Sequence, residues 1–366
     1  MRFRCTHFNP ALKRYIWFGK REVTLQSKKI TLKVLAEMMG VTPATISKAL
    51  HDSSDISSET RKKVKKMARE MGYQPNILAR SLVRQRSSLL GVIVPDLRIS
   101  FYSEVIRGIY ENAWPRGYEP IIVVNDEHVD QEKRNLEFLY SLNVDGILID
   151  AVPGSKNNDL LKTVSERGIH IVCYDRIIEE LDFSSVTIND EAAAFKIMQF
   201  FVENNRRHIL FLGPTKELYV AKGRFRGYCK GLEHFKLPFL SELVVECRVD
   251  DFNNAEMAMQ KALCSGIKID AVMAVGGLVA YGAGRAILKA QLAIPNDIYL
   301  AEFGNNNIVH RLGVPFVTID QSPYEMGTQA IGLIIDQIEN RIASKPSKHL
   351  IIDTRLIHRQ VGRDLF

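Results

Sequence analysis

ITLKVLAEMMGVTPATISKAL, residues 30–50, decides how the amino-terminal quarter of the chain is read. Thr31 is placed to cap a helix that starts at Leu32, with Leu35, Ala36 and Met39 on its inner face. Gly40 ends that helix, because glycine accepts the positive φ that a tight turn requires. Val41 packs the turn. Thr42 then caps a second helix, and Pro43 takes its first position, where a missing N–H is harmless. Ile46, Ala49 and Leu50 fall at i, i+3 and i+4 and face a core. Pro43, Ala44, Ser47 and Lys48 therefore face outward. The spacing of Ala36, Gly40, Thr42 and Ile46 is that of a helix-turn-helix. In that motif the amino-terminal residues of the second helix reach base edges in a major groove. Pro43 and Ala44 offer apolar contact to a thymine methyl, and Lys48 can reach a guanine.

Working outward, Ser57 caps a third helix with Val64, Met67, Ala68 and Met71 inward and Gly72 just past its end. Its outer face carries Arg61, Lys62, Lys63, Lys65, Lys66 and Arg69. QPNILARSL (74–82) follows. Pro75 stops the preceding structure, and Asn76 can cap one or two helical turns. A helix this short needs DNA or a partner to form. Leu78 and Leu82 share one face. They are either two buried leucines of a linker or a hinge whose leucine wedges between base steps in a minor groove.

The charge distribution supports the nucleic-acid reading. Residues 1–90 hold 19 Lys/Arg against 6 Asp/Glu, while the whole chain of 366 residues holds 49 against 42. A basic head on an acidic body points to DNA or to a membrane surface, with a solvated lysine-rich face as the alternative. No apolar stretch is long enough to span a bilayer, and no apolar segment follows the basic start as in a secretory signal. The five cysteines, Cys5, Cys173, Cys229, Cys247 and Cys264, form no C-x-x-C pair and read as free thiols of a reducing cytoplasm.

Beyond Leu89 the pattern changes. LLGVIVP (89–95), EPIIVV (119–124), VDGILID (144–150), GIHIVCY (168–174), HILFLG (208–213), DAVMAVG (270–276), DIYLAEFG (297–304) and FVTIDQ (316–321) are short β-branched runs bounded by turn residues. Amphipathic stretches such as Glu104–Trp114 and Gln131–Leu142 lie between them. This alternation specifies parallel, doubly wound α/β sheets with both faces covered. Some 265 residues exceed one such sheet, so two lobes with a cleft are expected. Ligands in these folds lie beyond the carboxyl ends of the strands, where Asp96, Asn125, Asp175, Gly276 and Gly304 fall.

In these segments, and in YDR (174–176), GRFRGY (223–228), FGN (303–305) and TIDQSPYEMG (318–327), the chain resembles the LacI/GalR family of bacterial transcription regulators, from Ile30 to about Arg359. The resemblance implies a helix-turn-helix head with a hinge helix, then a two-lobed body like periplasmic sugar-binding proteins. It implies a homodimer on pseudo-palindromic double-stranded operator DNA, controlled by a small-molecule effector, a sugar or sugar derivative, and acting as a repressor. The expected domains are a non-family basic extension over 1–29, the DNA-binding head over 30–74 and a hinge over 75–88. The first lobe is expected over 89–189 and 319–346, the second over 190–318 and 347–366. Expected DNA contacts are Thr31, Thr42, Pro43, Ala44, Thr45, Ser47, Lys48, Asn76, Arg80 and Leu82. Expected effector contacts are Phe101, Asn125, Asp175, Arg224, Gly276, Asn305 and Gln321.

Departures from the family pattern bear on the ligand. Gly276-Gly277 stands where the family commonly has Asn-Asp, and Glu302-Phe303-Gly304-Asn305 stands where it has Gly-Phe-Asp-Asp. Losing these acceptors while keeping Arg224 leaves a cleft less anionic than a typical hexose site. Three readings stay open: an acidic effector or one with fewer hydroxyls, replacement of the lost acceptors by neighbouring groups, or loss of effector binding. The chain shows no phosphate-binding loop, zinc-protease helix or nucleophile elbow, and its histidines show no ligand spacing, so neither catalysis, a metal nor a cofactor is expected. The other binding class is a transport solute receptor, against which the basic head speaks. With no leucine heptad after Arg359, a dimer is expected. A cytoplasmic, nucleoid-associated location follows from these readings.

Overall fold

A computed structural model describes residues 17–18, 21–22, 30–50, 52–73, 86–216, 218–304, 307–340 and 346–360. The chain divides into two compact units, Met1–Val83 and Arg84–Phe366. Of residues 1–29, the described part is a short antiparallel ladder in which Trp17–Phe18 pairs with Arg21–Glu22. Asn76, Arg80 and Leu82 lie outside the described residues, as does Asn305.

The described residues of the first unit form three helices: α1 (Leu32–Met39), α2 (Pro43–Leu50) and α3 (Ser58–Glu70). The Thr31 hydroxyl accepts the Val34 N–H, and Gly40 ends α1 at φ 66°. The turn then leads straight into α2, where Thr42 Oγ1 accepts the Thr45 N–H at 3.2 Å. Ser57 caps α3 in the same way through the Thr60 N–H. These caps supply acceptors for amide groups that a helix start leaves unpaired. The inner faces close on one small core of Leu35, Ala36, Ile46, Ala49, Val64 and Ala68.

The second unit is built on two six-stranded sheets. The first contains β1 (Leu89–Val94), β2 (Glu119–Val124), β3 (Gly146–Ile149), β4 (His170–Tyr174), β5 (Ser184–Ile188) and β11 (His349–Ile352). Its order is β11-β5-β4-β3-β1-β2, all parallel. The second contains β6 (Ile209–Leu212), β7 (Val244–Val245), β8 (Ala271–Ala274), β9 (Tyr299–Phe303), β10 (Phe316–Asp320) and β12 (Arg355–Arg359). Its order is β12-β10-β9-β8-β6-β7. Here the all-parallel expectation needs correction, because β12 runs antiparallel to β10.

The period-2 alternation of β1 sorts its side chains onto two cores. Leu90, Val92 and Val94 join Val105 and Ile109 of α4 (Ser100–Ala113) and Ile331, Ile334 and Ile335 of α12 (Pro323–Asn340). Ile93 points the other way, to Leu136 and Leu139 of α5 (Val129–Ser141) and Leu161 of α6 (Asn158–Glu166). Helices α4 and α12 cross at glycine. A methyl on Gly327 would stand 2.1 Å from the Val105 carbonyl, and one on Gly108 would stand 2.2 Å from the Tyr324 carbonyl. Since backbone cannot yield as a side chain does, Gly327→Ala is expected to cost about 1–3 kcal/mol or more in urea unfolding. Wild-type stability in this variant would show that the helices slide apart freely.

The lobe boundaries differ from expectation at the carboxyl end. His349–Ile352 adds to the first sheet beside Ser184–Ile188, so residues 347–366 do not all belong to the second lobe. Asp320, expected in the first lobe, ends a second-sheet strand. The chain therefore passes between lobes near 189, near 321 and near 353. Residues 86–88, expected in the hinge, are tied to the body. Asp145 accepts the N–H groups of Ser87 and Ser88, both at 2.8 Å, and Arg86 Nη2 donates to the Ile338 carbonyl.

Candidate functional site

In the head, Thr42, Pro43, Ala44 and Lys48 are exposed at α2, and Thr45 and Ser47 are half-buried. Thr31 is exposed at the start of α1. The Thr42 and Thr45 hydroxyls lie 2.9 Å apart, so the amino-terminal turn of α2 presents a bonded pair of hydroxyls. Lys48 is engaged, with Nζ 2.9 Å from Asp55 Oδ2 and both side chains largely in water. An exposed pair of this kind is worth at most about 1 kcal/mol, so a nucleic acid displaces it readily. Along α3, Lys65 is held by Asp52 and Lys63 by Glu59, while Lys62 lies on the same exposed face.

In the body, the expected contact residues sit where the carboxyl ends of the two sheets meet. They are withdrawn from the surface, with Asn125, Asp175, Arg224, Gln321 and Phe101 all buried. Asn125 follows β2 and its Oδ1 accepts the Glu127 N–H at 3.0 Å, while its Nδ2 finds no partner. Asp175 follows β4 at φ 56° and its Oδ1 has no partner either. Phe101 meets Tyr102 edge to face and lines, with Gly304, Asp320 and Tyr324, a cavity of about 860 Å³ at the lobe crossings. A second opening of about 640 Å³ lies between Glu127 and Pro153 of the first lobe and Thr215, Arg248 and Asp250 of the second. Lys222 of the second lobe reaches Glu179 of the first at 2.7 Å.

Arg224, on α8 (Tyr219–His234), organises the second-lobe side. Its Nε donates to Asp190 Oδ1 at 2.8 Å, its Nη2 to Gln321 Oε1 at 3.1 Å and its Nη1 to the Val275 carbonyl. Its guanidinium stacks 4.2 Å over the Phe303 ring. Gly276, next to that carbonyl, has open space where a side chain would stand, as its loss of a side chain implied. Sequence reasoning brought Arg224 and Gln321 to one place but missed Asp190. The acidic-effector reading, one of the three left open, rests on a cleft that keeps Arg224 while losing acceptors; Asp190 is a carboxyl group beside Arg224 that this reading leaves out.

The first-lobe side holds a matching group that the sequence reading quoted only as YDR. Arg176 grips Asp150 through Nε at 2.5 Å and Nη2 at 3.1 Å, and Glu127 through Nη1 at 2.9 Å. Tyr102 Oη accepts from Arg176 at 3.3 Å. Burial pushes Asp150 up to about 8 against the pull of Arg176. Burial also raises Asp175, opposed by Arg224 from across the interface and by Arg176. Asp190 is pushed up to about 6 by burial, with Arg224 restraining it. Among the described residues no group of His, Cys, Asp and Glu has the arrangement of a metal site. No helix there is long and apolar enough to cross a membrane.

A head whose described residues form three helices with an exposed second-helix start, followed by two α/β lobes joined by three chain crossings, defines a class: helix-turn-helix regulators with a periplasmic-binding-protein-like body. The chain belongs to the LacI family of bacterial regulatory proteins. The profile of bacterial regulatory proteins, lacI family, matches residues 31–76. That of periplasmic binding proteins and the sugar binding domain of the LacI family matches residues 87–360. It is thus a DNA-binding transcriptional regulator. The transcriptional repressor CytR of Escherichia coli is 29% identical over 342 residues, covering 93% of this chain and 98% of CytR. The regulator RegA of Clostridium saccharobutylicum is 26% identical over 331 residues, covering 90% and 98%. Among solved structures, the lac repressor dimer bound to operator and the anti-inducer ONPF superimposes with a TM-score of 0.79 at 22% identity, over 91% of this chain and 99% of that one.

Proposed function

We propose that this regulator is a homodimeric, cytoplasmic repressor of a pseudo-palindromic operator, released or tightened by a small molecule held between its lobes. Thr42 at the cap of α2 and Pro43, Ala44, Thr45, Ser47 and Lys48 within it, with Thr31, read each half-site. Asn76, Arg80 and Leu82 form the hinge, with Leu82 wedged in the central minor groove. The effector, a sugar or sugar derivative, is held by Phe101, Asn125, Asp175, Arg224, Gly276, Asn305 and Gln321. No catalytic step is assigned. The observation that carries this reading is the pair of buried polar atoms without partners, Asn125 Nδ2 and Asp175 Oδ1, at the carboxyl ends of the first-lobe strands. Buried polar groups are almost always satisfied within a protein, so orphans at a lobe junction call for a ligand. The operator-bound lac repressor dimer supports the two-fold arrangement by analogy.

Linkage supplies the control. A ligand that prefers one lobe arrangement shifts hinge pairing, with a typical coupling of about 1–3 kcal/mol, or 5–150-fold in operator affinity. Leu82→Ala tests the hinge. It is expected to lose most of the preference for the selected palindrome while keeping salt-dependent binding to any duplex, measured by fluorescence anisotropy. Unchanged preference would remove the wedge from the account.

A further inference from the structure

We infer that the effector carries a cationic nitrogen and presents it to Asp175. This deepens, and rests on, the reading of the lobe junction as the effector site. Asp175 is buried, its Oδ1 is unpartnered, and both arginines near it are already committed. Arg176 is neutralised by Asp150 and Glu127. Arg224 is neutralised by Asp190, and its remaining donors go to Gln321 and a carbonyl. Four carboxyl groups thus face two guanidiniums, and among these four Asp175 is the one with a buried oxygen that lacks a hydrogen-bond partner.

A hydroxyl would complete the hydrogen bond and leave the charge uncompensated in a poorly hydrated site. A protonated amine supplies both. An acid would set a second carboxyl group against the unpartnered Asp175 oxygen. In the opposite lobe Gly276 has open space where a side chain would stand.

The test uses the full chain and Asp175→Asn. Without ligand, the variant is expected to melt about 2–4 °C higher, because an uncompensated buried charge has been removed. The probes are matched sets differing in charge: D-glucosamine, D-glucose and D-glucuronate, with the corresponding galactose series. Thermal shift is expected to rank the amine of at least one set about tenfold or more tighter than its neutral counterpart, and Asp175→Asn is expected to lose that advantage. Two results would each overturn the inference: a variant no more stable than wild type without ligand, or neutral and acidic probes shifting the wild type as far as every amine. Operator anisotropy is read in parallel. An amine that shifts melting and leaves operator affinity unchanged supports the charge assignment and counts against effector control, so the two readings fail separately.

Discussion

Ala44→Asp is expected to lose operator binding by about 100-fold while the head keeps its fold. Ala44 is exposed on the first turn of α2, beside the Thr42–Thr45 hydroxyl pair. A carboxylate there suits the helix, since negative charge near a helix start is worth about 0.3–1 kcal/mol. On DNA the same carboxylate faces phosphates and acceptor-rich base edges and displaces an apolar contact. A good base contact carries about 1–3 kcal/mol, and the new repulsion adds to its loss. Stability and binding therefore move in opposite directions. Anisotropy on the operator and circular-dichroism melting of the same sample separate the two. Binding equal to wild type would mean that this turn of α2 does not enter the groove.

Arg224→Met is expected to destabilise the body by about 3–5 kcal/mol at pH 8, the usual penalty for leaving a buried charge without its partner. The charge left behind is Asp190, buried and otherwise faced by Asp175 and by Arg226. Adding Asp190→Asn is expected to recover most of the loss. The pH dependence has a definite sign. In the wild type Asp190 titrates in the folded state at about 6, above its ordinary 3.8. A carboxyl raised in this way binds a proton more tightly when folded, so its contribution to stability is greatest at low pH and falls as pH rises between those two values. Removing Arg224 raises Asp190 further. The variant's deficit should accordingly shrink as pH falls towards 5 and the lone carboxyl takes up its proton. Urea unfolding at the two pH values checks this. A deficit independent of pH and unrelieved by Asp190→Asn would show that Arg224 acts through packing alone.

The two predictions differ in how far the sequence already carried them. The α2 turn was legible because capping and turn chemistry are local: Thr31, Gly40, Thr42 and Pro43 do the same work in the structure as in the sequence. Eight strands were legible as well, because parallel strands buried on both faces must be continuous apolar runs. Ser184–Ile188 was not, although it is fully buried. Its hydroxyls hide the apolar signal and are satisfied from far along the chain. Ser184 Oγ accepts from Gln337 and from the Lys348 N–H, and Ser185 Oγ lies 2.9 Å from His349 Nδ1. His349–Ile352 was missed for the opposite reason, since this edge strand alternates between exposed and half-buried residues. Arg224 was found by its motif, whereas Asp190, 34 positions earlier, meets it only because α7 (Asp190–Glu203) and α8 pack closely. Gly223 permits that approach, as a methyl there would stand 2.7 Å from Asp190 Cβ. Charge compensation of this kind belongs to tertiary packing and leaves no local trace.

The central claim is that the head reads sequence and does more than attract a polyanion. The most direct measurement is fluorescence anisotropy of the full chain on a palindrome recovered by selection from random duplexes, against a scrambled duplex of equal composition, at two salt concentrations. The account predicts a preference of about a thousandfold or more for the palindrome, with both affinities falling as salt rises. Equal affinities for the two duplexes at both salt concentrations would contradict it.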